Sequence, residues 1–250
     1  MRESLRRIGI LAGRNIKEVL RDPLSLIFML AMPLGMEILF YFIFHSLTSQ
    51  FEMRFLAPGI VVFAQAFLSL FTGLLIALDR ASAFLTRLYV SRARSFEFIF
   101  GYACALLPVT LAQSVLFFLV GGIIDHSILS VRVLPAIALS LVTSLLFLGL
   151  GILLGSACNE KSVGGVSSIV IAGQSMLSGM WFPREGLSPV MITLMDVLPF
   201  RNATILVQNA LNGAPDAWND LVKPLCIVLA YTAAAFVCAI LVFRSKMKAK

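Results

Sequence analysis

The chain has 250 residues and a net charge of +7, yet only 13% of it is charged and 59% is hydrophobic. With a mean hydropathy of +0.95 this excludes an ordinary soluble globule, whose charged fraction is about twice as high, and places the chain in a bilayer. The apolar runs are continuous and do not alternate over about 10 residues, which selects helices over a transmembrane barrel.

From the N-terminus, Leu5, Ile8, Ala12, Ile16, Val19 and Leu20 recur at helical spacing, with Arg6, Arg7, Arg14, Lys17 and Arg21 between them. That pattern predicts an amphipathic helix over residues 1–22 lying in the membrane interface. Asp22-Pro23 ends it, because proline restricts its predecessor and suits the first turn of a new helix. No small-residue cleavage signal follows, so the segment reads as retained.

Six runs meet the requirement of about 20 apolar residues for a spanning helix: 24–44, 56–78, 98–124, 133–157, 163–182 and 222–243. The first carries Pro33 and Gly35, which predict a kink, and Glu37 near its middle. A carboxylate at that depth is costly unless it is protonated, paired or facing water. Glu37 therefore reads either as a functional group or as a structural hydrogen bond between helices. Gln65, Gln113 and Gln174 fall inside spans, as interhelical glue or as substrate contacts. Gly151 and Gly155 form one Gly-x-x-x-Gly pair, which allows close helix packing.

Residues 183–221 form the least regular region, bounded and interrupted by Pro183, Pro189, Pro199 and Pro215, with Pro224 just beyond. Their stretch LSPVMITLMDVLPF is too short to cross but apolar enough to enter the membrane, predicting a re-entrant outer segment between spans five and six. Of the 20 basic residues, 15 sit in the N-terminal stretch, the 79–97 loop, the turn at Lys161 and the C-terminal tail, leaving 5 for the opposite side. The bias predicts that both termini are cytoplasmic. It accounts for the net charge without a nucleic-acid partner, which would want a clustered basic face on a soluble domain.

Chemistry of the chain's own is hard to find. Gly155 precedes Lys161-Ser162 at P-loop spacing, but Glu160 stands where the second glycine belongs and no strand leads into the segment. His45 and His126 fall at outer loop ends, outside any catalytic motif. Cys104, Cys158, Cys226 and Cys238 show no C-x-x-C spacing and read as small packing residues. No metal site is expected, and no enzyme activity.

The cytoplasmic stretch DRASAFLTRLYVSRARSFE, residues 79–97, carries Arg80, Arg87, Arg92 and Arg94. As a helix it would place Phe84, Leu88 and Ser91 on one face and Arg80, Arg87 and Arg94 in a row. Periodicity leaves open whether this ridge lies on anionic lipid or fills a groove on a partner.

Asp79-Arg80, Phe84-Leu85, Arg87-Leu88, Ser91, Glu97 and Gly101 resemble the segment between spans two and three of ABC-2 type transporter permeases. Ala83, Arg92 and Tyr102 depart from that pattern, where the family has Gly, Pro and Lys. A second segment, Leu177-Ser178-Gly179 with Phe182-Pro183 and Pro199, is similar to the same family's Leu-Ser-Gly-x-x-Phe-Pro stretch. Motif order and topology extend the resemblance over nearly the whole chain.

The resemblance implies an all-α membrane protein that is a single transmembrane domain over residues 1–250. It would be a half-transporter that pairs with a second permease copy and two separate ABC ATPase subunits, which bind ATP and Mg; this chain would hold no cofactor. Arg80, Phe84, Leu85, Arg87, Leu88, Ser91, Arg92 and Arg94 would couple to the ATPase. Pro33, Glu37, Phe40, Gln65, Gln174 and Ser178 would lie along the pathway, with Phe182, Pro183 and Pro199 at an outer gate. Export across a prokaryotic cell membrane follows from the likeness, and 20 Phe against two Trp and four Tyr favour a drug, lipid or other amphipathic cargo over a glycan. A non-transporting scaffold or sensor that binds lipid is the rival from another class, and a proton-driven carrier using Glu37 is a second.

Overall fold

The computed structural model describes residues 2–82, 95–182 and 186–248. Among them the regular structure is helical: α1 (Arg2–Leu20), α2 (Pro23–Phe44), α3 (Met53–Ala81), α4 (Ser95–Ile124), α5 (Val133–Ala157), α6 (Glu160–Leu177), α7 (Pro189–Val197), α8 (Pro199–Asn212) and α9 (Lys223–Lys248). The break between α1 and α2 falls at Asp22, whose side chain accepts the Ser25 N–H at 3.2 Å while Pro23 occupies the first helical position. A short capping acid and a proline without an N–H fit a helix start, where the first amides lack intrahelical partners.

Five helices are long and apolar enough to span: α2, α3, α4, α5 and the segment Trp218–Ser245 within which α9 begins; α7 and α8 make a sixth if the pair, bent by 71°, counts as one. The predicted span at 163–182 is helix α6, 18 residues long. It ends at Leu177 because Ser178 and Gly179 turn the chain, Gly179 at φ 74°, a conformation that costs a side chain dearly. Glu160, Lys161, Gln174 and several Ser and Gly make it shorter and more polar than the others. At 1.5 Å per residue it is about 27 Å long.

The bundle is organised around α3, which is enclosed over most of its length, whereas α2 turns most of its surface outward. Close packing at the centre depends on the Gly-x-x-x-Gly pair of α5. A methyl on Gly151 would stand 2.6 Å from the Ser69 carbonyl oxygen of α3, and one on Gly155 2.6 Å from that of Gly73. The backbones touch where only hydrogen fits, so the two helices gain dispersion contacts that lipid would otherwise supply. Phe63, Phe117, Phe118 and Phe147 fill the main core around this axis.

α1 departs from the simple amphipathic picture. Ile8 and Leu11 rest on α4, where a methyl on Gly101 would lie 2.8 Å from Leu11 Cβ, and the most enclosed polar group of the helix is Asn15. Leu5, Ile10 and Leu20 stay exposed. The face buried against the bundle is thus rotated from the apolar stripe, because it must also present charges to partners on α3 and α4.

Candidate functional site

Two poles of the bundle carry the polar structure. At the pole where α1 lies, Arg14 donates to both Asp79 oxygens at 2.5 and 2.7 Å, and the Tyr102 hydroxyl donates to Asp79 Oδ2 at 2.7 Å. Asp79 sits in the last turns of α3 and is 3% exposed, so it is held by a fork and a hydroxyl from two other helices. Planar two-point recognition of this kind is what guanidinium and carboxylate geometry favours. Arg14 also pairs with Glu18 at 2.5 Å. Burial works against the Arg14 charge, but hydrogen bonding and attraction from Asp79, with Glu18, raise its pKa overall. Burial and the nearby Asp79 push the Glu18 carboxyl up, against the opposing pull of Arg14.

One residue further along, Arg80 turns its Nη1 to the carbonyl oxygens of Gly155, Ser156 and Cys158, at 2.9, 2.6 and 3.1 Å. These are the last carbonyls of α5, which lack helical donors and face the negative end of the helix dipole. Across the gap, Glu97 in the first turn of α4 is buried and pairs with Arg7 at 3.5 Å, which also meets Glu3. The two helix ends that flank residues 83–94 are therefore both tied to α1, and one is tied to α5. Of the predicted coupling residues, Arg80 is the one within the described part of the chain. Phe84, Leu85, Arg87, Leu88, Ser91, Arg92 and Arg94 lie outside it.

The predicted pathway residues are distributed through the bundle. Pro33 removes the amide that would bond the Met29 carbonyl, and Gln113 of α4 replaces it at 3.0 Å. Glu37 is fully buried with both carboxylate oxygens lacking a hydrogen-bond partner; a methyl on Gly121 would stand 3.0 Å from its Oε1. Phe40 meets Trp181 edge-on at 4.7 Å between centroids, and Trp181 also meets Phe63 at 5.8 Å. Gln65 is a helix tie: it donates to the Ser140 carbonyl at 2.8 Å and accepts from Thr143 at 2.7 Å. Gln174 donates to Thr204 of α8 at 3.0 Å. The Ser178 hydroxyl accepts the Met180 N–H at 3.1 Å, shaping the turn after α6.

At the opposite pole, Phe182 is half exposed and Pro199 is buried at the start of α8; Pro183 lies outside the described residues. The last turn of α8 supplies amides to freed carbonyls. Pro58 of α3 leaves the Arg54 carbonyl without its helical donor, and Asn212 donates there at 2.9 Å. Pro224 does the same to Asp220, where Asn209 donates at 3.0 Å. Gln208 reaches the Phe55 carbonyl at 2.9 Å. Prolines are tolerated in membrane helices when neighbouring groups satisfy the backbone they release. Beside these ties is a cavity of about 650 Å³ with Glu52, Arg54, Asp125 and Arg132 in its wall.

Sequence reasoning singled out neither Asp79 nor Tyr102 as site residues, although both lay in the quoted motif; Tyr102 marks a departure from the family pattern and is one of the groups holding Asp79. Trp181 stood between two selected positions and was passed over, as were Asn209 and Asn212. Their signal was the spacing of prolines, since each helical proline predicts a carbonyl in need of a donor. Cys104, Cys226 and Cys238 are exposed, so three of the four cysteines face outward and are not packed in the core.

A sequence model of the family described as ABC-2 type transporter matches residues 6–211. Against curated proteins the chain has no match.

Proposed function

The chain belongs to the ABC-2 type transporter family and is a multi-pass membrane permease component of an ABC transporter, and from that premise we propose that it joins a second copy of itself and two separate ATPase subunits to export an amphipathic cargo across the cell membrane. The basic-residue bias puts the α1 pole and both termini in the cytoplasm. ATP and its magnesium ion would be bound by the ATPases, since the near-miss at Gly155 to Ser162 lacks the glycine that lets a P-loop backbone cradle phosphate.

What carries the reading is the anchoring of the two helix ends on either side of residues 83–94, at Asp79 and at Glu97. A push delivered to this segment reaches α3 through Asp79, α4 through Glu97, and from both of them α1 through Arg14 and Arg7; Arg80 extends it to α5. Such a frame converts a local contact with an ATPase into a concerted movement of the bundle, whereas a lipid-binding loop would need no such anchoring. Phe84, Leu85 and Leu88 would seat in the ATPase groove, with Arg87, Arg92 and Arg94 meeting acidic residues at its edge. The second copy would cover α6, where Gly164 and Gly165 have open space beside them and the exposed Ser168 hydroxyl bonds only its own helix, at Gly164 O. That polar strip suits protein better than lipid.

The test is reconstitution with the co-purifying ATPase in vesicles. Arg87→Glu and Arg92→Glu are expected to retain ATP hydrolysis and lose transport. Unchanged coupled transport in both variants would overturn the coupling role of this segment, and a chain that captures no ATPase and transports nothing would overturn the permease reading in favour of a scaffold.

A further inference from the structure

The corner where α1 turns into α2 opens a cleft of about 420 Å³ against α3 and the start of α6. Among the described residues three carboxylates line it, Glu18, Asp22 and Glu160, and no lysine or arginine does. This is not what the background supplies, because the chain carries +7 overall and six basic residues within its first 21. The lining grades from exposed acids to apolar depth: Asp22 and Glu160 are open to solvent, Phe71 lines the wall, and Met29 and Leu75 close the inner side, both buried.

The charges are only partly neutralised within the molecule. Arg14 is shared between Glu18 and Asp79, so one guanidinium faces two acids. Asp22 is bonded by Ser25, a neutral partner, which holds its carboxyl below the usual range and keeps it ionised. An acid-rimmed, apolar-walled cleft attracts a positive head and accepts an apolar body. It disfavours anions, and also zwitterionic phospholipid headgroups, whose phosphate would find carboxylates and no cation among the lining groups.

We infer that this cleft is the loading site for cationic amphiphiles, compact apolar molecules bearing one permanent or protonated onium centre. The inference names a substrate class and rests on the permease reading. Entry at the α1–α2 corner would bring the cargo to the end of α3 that carries Leu78, in the cleft wall, and Asp79, so that loading takes place at the pole where α1 is tied to α3.

The experiment uses the full chain, without ATPase, in nanodiscs of uncharged phosphatidylcholine, with tetraphenylphosphonium as probe and tetraphenylborate, an ion of the same shape and opposite charge, as control. Measured against empty nanodiscs of the same lipid, the chain is expected to add saturable binding of the cation and none of the anion. Asp22→Asn with Glu160→Gln, which keeps a capping side chain at position 22, should weaken binding about tenfold, a factor of a few for each partly exposed charge. Leu74→Trp, which fills the cleft and changes no charge, should abolish it while leaving the melting temperature within a few degrees of the parent's. Equal binding of both ions, or cation binding unaffected by both sets of substitutions, would overturn the site. Addition of the ATPase separates the two claims. Cation binding without any ATP-driven flux would refute the permease reading and leave the site standing, whereas ATP-driven flux of other cargo without cation binding would refute the site alone.

Discussion

The two poles of this bundle solve the same problem with different proportions of charge. At the α1 pole, helix ends are joined by ions: Arg14 with Asp79, Arg7 with Glu97, and Arg80 with the final carbonyls of α5. At the other pole, neutral amides on α8 donate to carbonyls that Pro58 and Pro224 have released, and the charged contacts beside them, Arg132 with the Asn212 carbonyl and Arg201 with Asp196, are more open to solvent. Ionic joints are strong when enclosed but respond to charge brought near them. Amide joints are weaker and indifferent to a neighbouring charge. On the proposed reading, a pole that answers a partner and a far pole that holds shape independently would be expected to differ in this way.

The comparison breaks most sharply at Asp79. Asp79→Ala leaves Arg14 and Tyr102 without their shared acceptor, and removing one member of an enclosed ion pair costs about 3 kcal/mol. The melting temperature in detergent should fall markedly. The double variant with Arg14→Leu should recover part of that loss, because the guanidinium that has lost its buried partner and keeps only Glu18 and Asn15 is then gone. A single-variant loss no larger than that of a surface pair would mean that the charged pole is not a structural joint.

Much of the fold could be read from residue order. Long apolar runs placed most spans, and Asp22-Pro23 marked the first turn. What periodicity could not supply was pairing over distance. Arg14 reads as one of several basic residues on a helix face, and nothing near it in sequence distinguishes it from Lys17; its partner lies 65 positions away. The same limit hid Asn209 and Asn212, which look like ordinary polar residues of an amphipathic helix until the carbonyls left by Pro58 and Pro224 are placed beside them. The re-entrant region was legible from its prolines and its length, yet the 71° angle between α7 and α8 was not. Of the candidate site, Arg80 was chosen as a docking contact by its motif, but only tertiary structure brings it against α5.

At the amide pole the expected effect is smaller. Asn212→Leu leaves the Arg54 carbonyl unpaired next to Pro58 and should cost about 1 kcal/mol, at the low end because this joint is near the surface and water can replace the amide. Its melting offset should be the same in low and high salt, since no net charge is removed. A salt-dependent offset would show that Arg54 and Arg132, which flank the joint, contribute to it electrostatically and that the poles are less distinct than their geometry indicates.

The smallest effect separates strong from weak ionic joints within the charged pole. Arg7 reaches Glu97 at 3.5 Å and is shared with Glu3 on its own helix, whereas Arg14 grips Asp79 with both nitrogens at 2.7 Å or less. The two arginines are equally exposed, at 33%, so it is the longer distance and looser geometry that put Arg7→Ala at about 0.5 kcal/mol. Because such a pair is screened, that offset should shrink toward zero as ionic strength rises past a few hundred millimolar, where the Debye length falls below about 6 Å. The Asp79→Ala offset should persist under the same conditions, since its charges are enclosed. If both offsets fade together with salt, the Asp79 joint is as solvated as Arg7's, and the α1 pole is held by packing at Leu11 and Gly101 in place of charge.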